Sequence, residues 1–229
     1  MDAVSPIDLS APPSQHSRMR RWGIAIAYAI AAVCALAIDL PVTAYFKKGV
    51  PRFLGEFFEN CEVFGNGYGV AMILIAVVVL DRTAWKVTPL LIAGSLGSGL
   101  ISNILKLTLG RTRPRQFDFS MTSVWDTFQR MDGSQSMPSS HTATAVGLAV
   151  VLSALYPRGR WYFAILAALV GMQRIVTLSH YPSDVFGGAA VGSLIGMWAV
   201  ARMYFDEKKA RGESPVVPTP TPPTTEPTA

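Results

Sequence analysis

Charge is scarce in this chain. Only 15% of its 229 residues are Asp, Glu, Lys or Arg, while half are hydrophobic. Soluble domains carry about a quarter charged residues, so the composition excludes an ordinary water-soluble domain. Two stretches, 63–80 and 87–105, contain no charged residue at all. Cysteine is scarce too. Cys34 falls inside the first apolar stretch and Cys61 after it, which argues against a disulfide framework. Acidic residues are outnumbered 15 to 20 by Lys and Arg, for a net charge of +5. That excess does not point to nucleic acid. The basic residues gather at the ends of apolar stretches rather than on one face, as membrane topology requires.

What the chain has in abundance is long apolar runs. Crossing the hydrocarbon takes roughly 20 mostly apolar residues. Six stretches approach that length: Trp22–Leu40, Val63–Leu80, Val87–Leu105, Pro138–Pro157, Trp161–Leu178 and Val185–Tyr204. The expected fold is all-α, an integral-membrane six-helix bundle with short surface helices in the outer loops. The expected organisation is a mobile N-terminal arm over 1–21, a membrane domain over 22–205, and a Pro/Thr-rich disordered tail over 206–229. A cleaved signal peptide is an alternative for the first stretch, since Ala35-Leu36-Ala37 resembles a cleavage site. The run is long for that role.

Basic clusters alternate along the chain. Arg18, Arg20 and Arg21 precede the first stretch, and Arg82 and Lys86 separate the second from the third. Arg158 and Arg160 separate the fourth from the fifth, and Arg202, Lys208, Lys209 and Arg211 close the sixth. Six crossings put all four clusters, and both termini, on the cytoplasmic side. The expected residence is a bacterial inner membrane. In the first outer loop, Phe53, Leu54, Phe57, Phe58 and Cys61 share one helical face, while Glu56, Glu59, Asn60 and Glu62 occupy the remainder. This predicts an amphipathic helix at the membrane surface. The second outer loop, 115–137, carries Phe117, Phe119, Trp125 and Phe128, aromatics suited to the headgroup region. Glycines such as Gly188, Gly192 and Gly196 at spacing four read as packing residues that let helices approach closely.

Three polar runs interrupt the apolar pattern, and the topology places all of them on the outer side. Lys106 is followed after six residues by Arg113-Pro114. Pro138-Ser139-Ser140-His141 begins the fourth stretch. Arg174 is followed after five residues by His180, and His180 after three more by Asp184. Charge beside a bilayer is costly, so such clustering points to function. Arg grips an anion with a fork and Lys with a point charge, so Lys106, Arg113 and Arg174 suit a phosphate. Ser139 can cap a helix whose first N–H groups, near Ser140 and His141, face the same anion. Asp184 can fix one nitrogen of His180 and leave the other to attack phosphorus, while His141 protonates the leaving oxygen.

Blander readings apply elsewhere. Lys47, Lys48, Arg52 and Arg130 read as side chains snorkelling to headgroups. His16 reads as solvated. Asp39, beside Pro41, reads as the end of the first span. Arg111 and Arg115 flank the first run, where a plain rim position is as good a reading as attraction of an anionic substrate. Two histidines and an aspartate could in principle hold a metal, but three adjacent cations suit an anion far better.

The three runs resemble the tripartite motif of the type 2 phosphatidic acid phosphatase superfamily: Lys-x6-Arg-Pro, Pro-Ser-x-His and Arg-x5-His-x3-Asp. Here they read KLTLGRTRP (106–114), PSSH (138–141) and RIVTLSHYPSD (174–184). Each alone is weak; the three together, in this order and topology, are specific. Ser140 replaces the usual glycine, and Gln173 stands where serine is common. The resemblance implies a metal-independent, cofactor-free membrane enzyme. Its partners would be the bilayer and a lipid phosphate or diphosphate. Undecaprenyl pyrophosphate, phosphatidylglycerophosphate, phosphatidic acid and lipid A are typical family substrates. It implies His180 as nucleophile forming a phosphohistidine, Asp184 as its orienting group and His141 as general acid. Lys106, Arg113, Arg174, Ser139 and the N–H of Ser140 would bind phosphoryl oxygens. Alternatives are a lipid phosphotransferase using the same intermediate and a non-catalytic lipid-phosphate-binding protein. A vanadium-dependent haloperoxidase has a similar anion pocket, but such enzymes are typically soluble.

Overall fold

The computed structural model describes residues 15–81, 84–119, 124–125 and 135–210, the side chains of 15–21 and 207 excepted. Expectations for His16, Arg18, Arg20, Arg21, Arg82, Phe128, Arg130, the start of the arm and the tail beyond 210 fall outside that description. Among the described residues there are eight α-helices. They are α1 (Gln15–Ala35), α2 (Asp39–Lys47), α3 (Arg52–Asn60), α4 (Gly67–Leu80), α5 (Thr88–Leu109), α6 (Ser140–Leu155), α7 (Arg160–Val176) and α8 (Pro182–Ala210). No strand forms among them; two isolated bridges, Arg111 to Trp125 and Thr112 to Gln135, tie the second outer loop together.

Local chemistry sets the helix ends. Asn66 caps α4, its side chain accepting from the Gly69 N–H at 2.7 Å. Gly110 ends α5 in the left-handed conformation, φ 57°, and its N–H closes on the Lys106 carbonyl. Ser139 caps α6. Proline opens α8, where its missing N–H costs nothing.

α6 is the central helix. Its buried residues point in every direction, from Ala143 and Ala145 to Leu148, Val151 and Leu152. An all-round apolar helix belongs inside a bundle. α5, α7 and α8 pack around it, with Leu91, Val170, Ala199, Val200 and Met203 completing the core. Gly147 backs onto the Gly94 carbonyl and Gly192 onto the Ala143 carbonyl, so the small residues do let these helices approach closely. The exterior is apolar as well: Met72 is 69% exposed, Leu80 85% and Leu100 61%. Such a surface is matched to lipid.

The six expected stretches differ in how far each forms a long apolar helix. Two helical segments, Ala84–Leu109 and Pro182–Ala210, are long and apolar enough to cross a membrane alone, or up to four if each of two bent pairs is one span. The first expected span, Trp22–Leu40, does not run straight. α1 stops at Ala35, and α2 leaves it at 69°. Asp39 therefore does not end the first span; it opens α2 and is only 1% exposed. The bend turns its carboxylate inward, toward Arg111. The amphipathic segment in the first outer loop forms α3, with no fully buried residue and with Phe53 and Phe57 exposed. In the second outer loop Phe117 is buried rather than free, its ring stacked edge-on with Phe119. Lys47 is tied to the Phe117 carbonyl instead of snorkelling.

Candidate active site

The three polar runs meet where the C-terminal ends of α5 and α7 face the N-terminal ends of α6 and α8. Backbone bonds join them: Ser139 N–H donates to the Asp184 carbonyl at 2.9 Å, and Arg115 N–H to the Leu178 carbonyl at 3.0 Å. Lys106 Nζ donates to Ser140 Oγ at 3.0 Å, which brings the end of α5 to the start of α6. Ser139 Oγ accepts from Thr142 Oγ1 at 3.0 Å and from the Thr142 N–H at 3.4 Å. The first amides of α6 are thus left pointing out of the helix. Gly188 makes this junction possible, because a Cβ there would press into the Ser139 carbonyl.

Arg174 sits in the last turn of α7, 8% exposed. One of its terminal nitrogens donates to Ser179 Oγ at 3.3 Å, and its Nε is buried without a partner among the described residues. Arg113 reaches the Gln135 carbonyl at 3.4 Å. Burial, followed by repulsion from Arg115 and Arg174, lowers its hold on its proton. Lys106, Arg113 and Arg174 are close enough to act on one another and on His141. Cations held together like this, partly desolvated, form a seat for an anion. A cavity of about 270 Å³ opens on Ser140 and His141, with Gly65, Leu100 and Asn103 among its other walls.

His180 is buried, between α7 and α8. Among the described residues its polar contacts are all at Nδ1. Asp184 Oδ2 lies 3.7 Å away, and Ser136 Oγ 3.4 Å. Ser136 also donates to Asp184 Oδ2. The direct imidazole–carboxylate hydrogen bond expected from the sequence is therefore replaced by an ion-pair distance with a serine hydroxyl between. Nδ1–H can donate to the hydroxyl oxygen, which leaves Nε2 with its lone pair. Burial, assisted by Lys106 and Arg113 and opposed by Asp184, lowers the His180 pKa to about 4. The ring is neutral at physiological pH.

Asp184 is held on every side. Its Oδ2 accepts from the Tyr181 N–H at 2.8 Å, the reach of an N-terminal helical side chain back to the capping amide. Its Oδ1 accepts from Arg111 Nη1 at 2.6 Å. Arg111 is not a rim residue: it is 2% exposed, its other terminal nitrogen donates to Asp39 at 2.7 Å, and it stacks on Tyr181 at 4.0 Å. Burial opposes its charge, but Asp184 and Asp39 outweigh burial and raise its pKa. Asp39 also accepts from the Ser183 N–H and hydroxyl at 3.0 and 2.5 Å.

The sequence reading missed four of these residues, Asp39, Arg111, Ser136 and Glu62. Glu62 Oε1 accepts from Arg174 Nη1 at 3.0 Å and lies 2.9 Å from His141 Nε2. Sequence reading assigned Glu62 to the polar face of a surface helix. Nothing local distinguishes it from Glu56 or Glu59.

Comparison with known proteins gives the chain a family and a shared fold. The PAP2 superfamily model matches residues 89–208. A lipid A 1-phosphatase of Rhizobium johnstonii is 39% identical over 192 residues, covering 76% of this chain and 77% of the relative. The undecaprenyl-diphosphatase BcrC of Bacillus subtilis is 32% identical over 142 residues, covering 60% of this chain and 71% of the relative. Among solved structures, the transmembrane PAP2-type phosphatidylglycerolphosphate phosphatase of Bacillus subtilis superposes with TM-score 0.62 at 20% identity. It covers 82% of this chain and 96% of that one, and shows a shared fold. The matched segment contains all three polar runs and the four helices that carry them, and with them the chain belongs to the PAP2 superfamily.

Proposed function

We propose that this protein is a membrane lipid phosphatase that works through a phosphohistidine on His180 without a metal. The single observation that carries the reading is the state of His180. It is neutral, its Nδ1 is engaged by Ser136 and Asp184, and its Nε2 is left for phosphorus, within the field of Lys106 and Arg113. Binding alone would need only the cations.

The reaction proceeds in two displacements. Lys106, Arg113, Arg174 and the first amides of α6 hold the phosphoryl oxygens, and the orphaned Nε–H of Arg174 supplies one more donor. His180 Nε2 attacks phosphorus as the bond to the lipid oxygen breaks, and His141 gives that oxygen its proton. Asp184 stabilises the charge that develops on the His180 ring. Water then attacks the phosphohistidine, its proton passes to His141, and inorganic phosphate leaves.

The substrate reading follows the relatives. Greatest weight goes to a lipid A type phosphate, because the 39% identical relative, a lipid A 1-phosphatase, is matched over 77% of its length. An undecaprenyl diphosphate stands second. Six crossings by α1 and α4 to α8, one membrane domain over 22–205, a bacterial inner membrane and a site facing the periplasm complete the reading. The charge distribution supports this arrangement.

The test is phosphate release in detergent from lipid A, undecaprenyl diphosphate and phosphatidic acid, with and without EDTA, for wild type and His180→Ala. Release should persist in EDTA and vanish in His180→Ala. An acid-labile, base-stable phosphoenzyme should be trapped on the wild type. Release undiminished in His180→Ala would overturn the reading.

A further inference from the structure

Glu62 lies outside the segment that matches the family, yet it touches two residues of the candidate site. Its position is built, not incidental. It sits on the one-turn 3-10 segment Cys61–Phe64, between α3 and α4. Phe64 anchors that turn in the core. Gly65 lies so close to α6 and α7 that a Cβ would come within 2.6 Å of Val170 and 2.8 Å of the His141 carbonyl. Gly69 backs onto the Val63 carbonyl, and Asn66 caps the next helix. The turn is thus locked against the same stretch of α6 that carries His141.

The charges around His141 explain why a carboxylate belongs there. Its ring is set in a partly desolvated site; Arg174 from α7, Lys106 from α5 and Arg113 from the following loop all act on it, and Glu62 is the anion that opposes them. Three cations favour a neutral imidazole. A general acid must keep its proton until the leaving oxygen needs it. A carboxylate only accepts hydrogen bonds, so at 2.9 Å it requires a hydrogen on His141 Nε2. The same oxygen takes Arg174 Nη1, and Gln173 Nε2 lies 3.5 Å from the other oxygen.

We propose that Glu62 is a positioning residue for His141. It orients the ring, fixes a hydrogen on Nε2 and supplies a counter-charge beside Lys106, Arg113 and Arg174. The catalytic consequence rests on the phosphatase reading above; the effect on the ring does not. When the bond between phosphorus and the lipid oxygen breaks, the electron pair stays on oxygen and the proton of His141 Nε2 follows. Glu62 holds that proton in place until the leaving oxygen competes for it.

The test uses the full chain in detergent with Glu62→Gln and Glu62→Asp. The chain has three histidines, so 15N-imidazole spectra can be assigned with His16→Gln and His141→Gln. In Glu62→Gln the proton affinity of His141 should fall about tenfold, and Glu62→Asp should restore most of it. For a lipid phosphate, kcat should fall about 10- to 100-fold in Glu62→Gln with KM steady. For p-nitrophenyl phosphate, whose leaving group needs little protonation, the loss should stay under about threefold. The proposal is overturned by an unmoved His141 titration, by equal losses on both substrates, or by a lower KM with unchanged kcat. The last result would make Glu62 a stand-in for a phosphate oxygen. If wild type releases phosphate from no lipid, the phosphatase reading fails, and the titration alone decides the bond between Glu62 and His141.

Discussion

Arg111 Nη1 meets Asp184 Oδ1 at 2.6 Å with both side chains almost wholly buried. The same guanidinium holds Asp39 at 2.7 Å, so one cation bridges two buried carboxylates. Buried pairs contribute little over an apolar replacement, but breaking one from a single side strands the other charge, at a cost of about 3–5 kcal/mol. Arg111→Ala should therefore lower stability by about that amount, read as a drop in thermal midpoint in detergent. Arg111→Lys should recover only part of it, because a lysine cannot fork to both carboxylates. A wild-type midpoint in Arg111→Ala would show that the network is not a stabilising one.

Gly188→Ala should separate activity from folding. The added methyl meets the Ser139 carbonyl and pushes the first turn of α6 away from α8. A displacement of that kind at an anion seat should reduce phosphate release by about 100-fold while the protein still purifies as a folded species. Gly97→Ala is the control, since nothing lies within 4 Å of its added methyl. Equal activity of the two variants would count against the close approach at Gly188.

His180 gives stability a pH dependence of known sign. Its folded pKa is lowered to about 4, so between about 6.5 and 4 the unfolded state binds more protons. Stability should be full above that window and fall as pH drops through it, by a few kcal/mol. The difference in thermal midpoint between wild type and His180→Gln, followed from pH 8 to 4, isolates this contribution. A difference that does not vary with pH would mean that His180 is not held neutral.

Lys106→Gln should weaken competitive inhibition by inorganic phosphate or vanadate. One charge-assisted contact is lost, which corresponds to about a tenfold or larger rise in the inhibition constant. Inhibition constants measured against wild type decide this. An unchanged constant would remove Lys106 from the anion seat.

Much of this site was legible in the sequence because its members sit in short, fixed patterns. Lys106, Arg113, Ser139, His141, Arg174, His180 and Asp184 come together as their spacing predicts. Ser139 caps α6, and the neutral state of His180 follows from burial among cations. The residues that were missed are long-range partners. Asp39 lies 72 positions from Arg111, and Glu62 lies 112 from Arg174. No local periodicity announces a contact across that distance. In the sequence Arg111 reads equally as a rim residue or as an attractor of an anionic substrate, because membrane-edge arginines usually face water; only the bend after Ala35 reveals the buried acid facing it. The bend also explains why hydropathy alone gave a straight first span. An apolar run shows where a helix can lie in lipid, not where a polar partner will turn it.

The two carboxylates at Asp39 and Glu62 set a limit on modularity. Both precede the segment 89–208 that defines the family match, yet one pairs with Arg111 beside Asp184 and the other contacts His141 and Arg174. A transplant of that segment into another membrane scaffold would bring every recognisable motif with it. It would also leave Arg111 and the cations around His141 without two of their counter-ions. Interchange between relatives should therefore succeed only when the first outer loop and the bend before it travel with the motif-bearing helices.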